Sequence, residues 1–153
     1  MRFVVISLAT LTLTVSAGAQ QSPGAAYQLQ KSNPSVEWNK ATAKVADVDC
    51  DGKPDSIMLG SEPNSVVVGL VFGDSDKKPQ VLRFQVRRDT QDGFCGIPST
   101  IETSPLKCES DGGSLPGCKP IKGCMAFSVR DPECDSLNFY WDATHSMLAW
   151  WRH

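Results

Sequence analysis

Nine consecutive residues hold the densest chemistry in the chain. Asp47-Val48-Asp49-Cys50-Asp51-Gly52-Lys53-Pro54-Asp55 puts carboxylates at loop positions 1, 3, 5 and 9. Calcium is a hard cation that takes roughly six to eight oxygen ligands, and alternate side chains of a tightly curled loop can point at one centre. Gly52, at position 6, permits the sharp turn that lets the Lys53 carbonyl serve at position 7. Four carboxylates packed so closely repel one another unless a cation neutralises them. Asp47, Asp49, Asp51, Lys53 and Asp55 are therefore the candidate ligands, with Ca2+ as the expected cofactor. The plain alternative is an acidic turn that holds no metal.

An EF-hand requires a bidentate Glu at position 12, where this chain has Met58, and Pro54 stands where the exiting helix would begin. The pattern D-x-D-x-D-G-x-x-D, with extended segments on both sides, instead resembles the calcium loops between strands of FG-GAP or integrin-α-type repeats. In those repeats the ninth-position aspartate closes the site. The resemblance covers residues 45 to 59. With only one such loop and no internal repeat, the chain is not a multi-bladed propeller.

Six cysteines, Cys50, Cys95, Cys108, Cys118, Cys124 and Cys134, form an even set with no C-x-x-C pair. With only His145 and His153 to assist, they read as a disulfide framework rather than a zinc site. Spacing does not decide the pairing. A bridge from Cys50 to Cys134 across the fold, with local closures among the other four, is the expectation. A second acidic cluster, Asp131-Pro132-Glu133-Cys134-Asp135, would lend a carboxylate to the first site if that bridge formed, because a disulfide holds its Cα atoms within roughly 7 Å. Otherwise it is a solvated turn.

Hydrolytic chemistry has little to work with. No serine sits in a G-x-S-x-G elbow, oxidised cysteines offer no thiolate, and His145 reads as an exposed turn residue. Carboxylate chemistry is retained only as a third, minor alternative, and the chain is expected not to be an enzyme.

The elements that position these groups read as strands. Val36–Val45 enters the aspartate loop and Ser56–Leu59 leaves it. Ser65–Phe72 is a valine-rich run suited to a strand buried on both faces, and Gln80–Arg87 suits a half-exposed one. Residues 88 to 120, rich in Gly, Pro and Cys, form a long stapled loop region with a short strand near Thr100–Thr103. Cys124–Val129 follows. Ser136–Trp141 and Met147–Arg152 then make an aromatic hairpin. Trp150 and Trp151 must face opposite sides of their strand, so one of them is a candidate partner contact. No amphipathic helix of ten or more residues is evident, and the prediction is an all-β fold, a small antiparallel sandwich or meander of about seven or eight strands.

Met1-Arg2, the apolar run Phe3–Val15 and the small residues Ser16–Ala19 have the layout of a secretory signal cleaved after Ala19. Residues 20 to 35 are polar and read as a flexible tether, leaving 36 to 153 as a single domain. Without Arg2, 14 basic residues face 17 acidic ones, a net charge of −3 that argues for neither nucleic acid nor an anionic membrane. No membrane anchor is expected after cleavage.

Taken together, the leader, the single aspartate loop, the cysteine-rich centre and the closing E-C-D-S-L-N-F-Y-W…L-A-W-W-R hairpin look like small exported proteins of Gram-negative bacteria. Some of these resemble periplasmic lysozyme inhibitors and act as immunity proteins against peptidoglycan hydrolases. The resemblance implies a periplasmic or secreted binding role, in which a rigid β scaffold offers a loop to a protein partner. The alternative is a carbohydrate-binding module that stacks a glycan on Trp150 or Trp151.

Overall fold

Alternating and valine-rich segments organise the molecule into two antiparallel sheets. The computed structural model describes residues 24–88, 91–98 and 100–153. The expected leader at 1–19 lies outside the described residues. The first sheet is a meander of β1 (Glu37–Ala46), β2 (Asp55–Glu62), β3 (Ser65–Val71) and β4 (Gln80–Gln85), in that spatial order. Glu62 pairs with Ser65, so Pro63 and Asn64 alone turn β2 into β3, with Asn64 in the left-handed region at φ 61°. The second sheet contains β5 (Ile101–Pro105), β8 (Met125–Val129), β9 (Leu137–Asp142) and β10 (Met147–Trp151), ordered β10-β9-β8-β5. Between β5 and β8 a miniature hairpin forms from β6 (Glu109–Ser110) and β7 (Gly113–Ser114).

The sheets share one core. Ile57, Leu59, Val66, Val68, Leu70 and Phe84 from the first sheet pack with Ile101, Phe127, Val129, Leu137, Phe139 and Leu148 from the second. Aromatic rings close its centre, with Phe127 stacked on Phe139 and Phe84 edge-on to Phe94, Phe139 and Trp150. The all-β expectation holds, and the strands lie within a residue or a few of the sequence-based limits.

One region is corrected. Residues 24 to 32, expected to belong to a flexible tether, form a helix, α1 (Gly24–Ser32). Its Ala25 and Leu29 pack with Trp38, Met58, Val67 and Val71 on the outer face of the first sheet. That second covering layer explains why β2 and β3 are buried on both faces, as the unbroken apolar run of β3 predicted. A nine-residue helix with two buried side chains has little stability alone, so its signal lies in the sheet it covers rather than in its own sequence.

Candidate metal site and the stapled loops

The aspartate loop spans the gap between the end of β1 and the start of β2, where Ala46 and Asp55 are register partners. Its carboxylates shape the loop by accepting its own N–H groups. Asp47 Oδ2 accepts from Gly52 at 3.0 Å, Asp49 Oδ1 from Asp51 at 3.2 Å, and Asp51 Oδ1 from Lys53 at 2.8 Å. Gly52 sits at φ 84°, so the turn at position 6 needs the residue the sequence supplies. The fully buried Asp55 accepts from Val48 at 2.8 Å and Asp49 at 3.2 Å through Oδ2, and from Gly73 at 2.9 Å through Oδ1. Burial pushes its carboxyl up to about 6, against the pull of those three N–H groups.

Carboxylate oxygens of Asp47, Asp49 and Asp55 come within 4.8 Å of one another, a spacing that suits a metal ion. Asp47 Oδ1 is buried and accepts no hydrogen bond from the protein. An orphaned anionic oxygen beside two further carboxylates is costly unless a cation meets it, and an all-oxygen donor set fits a hard divalent ion. Asp51 stands outside this triad. Its Oδ2 receives the Lys77 ammonium at 2.9 Å, and Asp49 Oδ2 receives the same ammonium at 2.5 Å. Lys53, read from sequence as a carbonyl ligand, sends its ammonium to Asp74 at 3.3 Å.

Lys77 escaped the sequence reading. It lies between β3 and β4, more than twenty residues from the loop, where nothing in local spacing ties it to the aspartates. The Asp49 and Asp51 carboxylates together raise its pKa. They also draw it over the Phe72 ring, 5.5 Å from the centroid.

Disulfides connect this site to the second sheet differently from the expectation. Cys50 pairs with Cys124, Cys95 with Cys134, and Cys108 with Cys118. The Cys50–Cys134 bridge does not form, because the residue preceding β8, and not the acidic turn before β9, lies against the loop. Met125 N also donates to Asp47 O at 2.8 Å, a second tie at the same place. Of the local closures expected among the other four cysteines, only Cys108–Cys118 occurs.

Consequently the 131–135 cluster adds nothing to the aspartate triad. Asp131 Oδ1 accepts from Gly96, Glu133 and Cys134, and Oδ2 accepts from Cys95 at 2.7 Å. Arg152, itself almost wholly buried, lies 3.4 Å from Oδ2. This carboxylate organises the loop at 91–98. Phe94 plugs the core, its N–H bonded to Gln85 O and its carbonyl to Arg87 N. Gly93 to Gly96 and Pro98 are buried, while Ile97 between them is 74 % exposed.

Trp150 and Trp151 do face opposite sides. Trp150 packs on the core, and Trp151 pairs with Asn138 on the outer face of the second sheet. His145 is exposed in the β9–β10 turn, its Nδ1 2.6 Å from Asp142 Oδ2. That imidazole, with the N–H groups of His145 and Thr144, holds the Asp142 carboxyl below its ordinary range.

Family models, curated proteins and solved structures yield no match to this chain. Three disulfides suit an oxidising compartment, and no helix among the described residues is long and apolar enough to cross a membrane.

Proposed function

We propose that this protein is an exported, calcium-stabilised binding domain that offers its 91–98 loop to a protein partner in the periplasm or outside the cell, the partner being a cell-wall hydrolase that it inhibits. One observation carries the reading. Ile97 is a large apolar side chain held out into solvent on a backbone that is buried on either side of it.

A single exposed isoleucine is ordinary on a protein surface, and what favours Ile97 is the backbone that carries it. Here the Cys95–Cys134 bridge and the Asp131 carboxylate fix the strand of chain that bears it. Binding through such a loop loses little conformational entropy, which favours affinity from a small contact. Calcium belongs to the scaffold in this reading. Held by Asp47, Asp49 and Asp55, it would supply positive charge to the orphaned Asp47 oxygen and fix the β1–β2 connection, with no part in a reaction.

The test measures inhibition of purified muramidases and peptidoglycan amidases by the oxidised protein, in calcium buffer, beside Ile97→Asp. The exposed position predicts an unfolding free energy within about 0.5 kcal/mol of the parent. Affinity for the inhibited enzyme should fall by about 2 kcal/mol or more, as for a central apolar anchor. Equal inhibition by both proteins, or inhibition of none of the enzymes, would sink the proposal.

A further inference from the structure

The outer face of the second sheet carries a separate feature. Because Phe127, Val129, Leu137 and Phe139 face the core, their strand neighbours face outward. Register then sets Glu102, Ser128, Asn138 and Trp151 in one row across the four strands. Beside it lie Ser104 paired with Ala126, and Tyr140 paired with Ala149. The floor thus combines small residues and the Asn138 amide with the Tyr140 ring, with Glu102 at its β5 border and the Trp151 indole at its β10 border.

A wall stands over this floor. The segment closed by Cys108–Cys118 is tacked to the sheet by the Tyr140 hydroxyl, which donates to Pro116 O at 3.0 Å, and by Ala143 N, which donates to Gly117 O at 2.9 Å. Gly117 adopts φ +68° with the Asp142 carboxylate so close that any side chain there would collide. The wall is therefore fixed. Between it and Trp151 lies a trough of about 800 Å³, bordered by Lys107, Glu109 and Asp111. At its far edge Asp111 meets His153 at 2.8 Å, and the His153 ring packs edge-on against Trp151.

We infer that this trough binds a neutral oligosaccharide, with one ring stacked on Trp151 and its hydroxyls bonded to Ser104, Ser128 and Asn138. The volume suits a ligand of a few sugar rings. Its border mixes Lys107 with Glu109 and Asp111, so it selects neither a polyanion nor a polycation. The Ser104 and Ser128 hydroxyls, and what the Asn138 amide offers beyond its bond to Ser136 O, would lack partners beneath an apolar ligand, a loss that a polyol avoids. An indole beside such polar groups offers one apolar platform next to hydrogen-bond partners, matching the two kinds of surface on a pyranose. The trough does not depend on the Ile97 loop, so either assignment can fail alone.

Calorimetric titration of the whole oxidised protein with chitotetraose, cellotetraose and maltotetraose tests this. Saturable binding of at least one is expected, weakened about tenfold or more by Trp151→Ala. Ser128→Leu, which fills the floor without touching the core, should also abolish it, while Ile97→Asp should leave it unchanged. Absence of saturable binding to all three sugars, or binding that survives both Trp151→Ala and Ser128→Leu, overturns the inference.

Discussion

Among the described residues, two places gather three potential ligand side chains within metal-binding distance. One is Asp47, Asp49 and Asp55; the other is Cys95, Asp131 and Cys134. Both hold buried aspartates, and both lie where a disulfide ties a loop to the sheets. They differ in what the acceptors receive. Around Asp131, four backbone N–H groups and the Arg152 guanidinium converge on two oxygens, and the neighbouring sulfurs are bonded to each other. In the first triad Asp55 likewise takes three backbone N–H groups, but Asp47 has one oxygen on Gly52 N–H and the other takes nothing from the protein, while the fixed Lys77 charge goes to Asp49 and Asp51 instead. Acidic density alone therefore does not distinguish a metal site from a structural anchor. The supply of N–H donors and fixed positive charge to each oxygen does.

Emptying the anchored side should have the largest effect. Asp131→Ala would deprive four N–H groups of their acceptor and would remove the carboxylate that Arg152 approaches at 3.4 Å. Loss of one partner of a buried ion pair costs about 3–5 kcal/mol. Urea unfolding of the oxidised variant should show a drop of that size, and added calcium should not restore it. A loss under about 1 kcal/mol would mean that water reaches this carboxylate and that the 91–98 loop is not held as described.

The metal side should respond in the opposite sense. Calcium added to metal-stripped protein is expected to raise the unfolding free energy by about 2.7 kcal/mol at a hundredfold excess over its dissociation constant. Asp47→Asn removes the charge at the orphaned oxygen and should abolish most of that rise, with little effect on the metal-free protein. An undiminished calcium effect in Asp47→Asn would place the ion elsewhere. A parent protein indifferent to calcium would reduce the loop to an acidic turn neutralised by Lys77.

The contrast between these regions also marks what the sequence could reveal. The aspartate loop is legible because its groups lie two to four residues apart, within the reach of local backbone geometry. The strands are legible for a similar reason, since the alternation of Gln80–Gln85 and the valine run of β3 state how many faces are covered. Helix α1 is not, because Ala25 and Leu29 matter only once Trp38 and Val67 form a surface beneath them. Cysteine pairing is equally remote: Cys50 and Cys124 are 74 residues apart and meet through the packing of two sheets. Lys77 and Ile97 belong to the same class. One is a distant cation delivered by a turn, and the other stands out only against the buried Gly96 and Pro98 on either side of it.

The smallest expected effect concerns protons at Asp55, and it separates the two regions by pH alone. Burial raises this carboxyl to about 6, from 3.8 when it is free in the unfolded chain. Between those values the folded protein binds the proton more tightly than the unfolded one, so without metal this residue costs stability at neutral pH, and the cost is relieved as pH falls through 6. Calcium reverses the preference, because a ligand carboxylate must be ionised. The gap in melting temperature between calcium-loaded and metal-stripped protein should therefore be widest near pH 7.5, narrow through about pH 6 and close by about pH 4.5. Asp131→Ala should shift both curves downward without changing where the gap closes. A gap constant from about pH 7.5 to 5 would mean that Asp55 stays ionised with or without metal. It would then be a backbone staple like Asp131, and the ion would rest on Asp47 and Asp49.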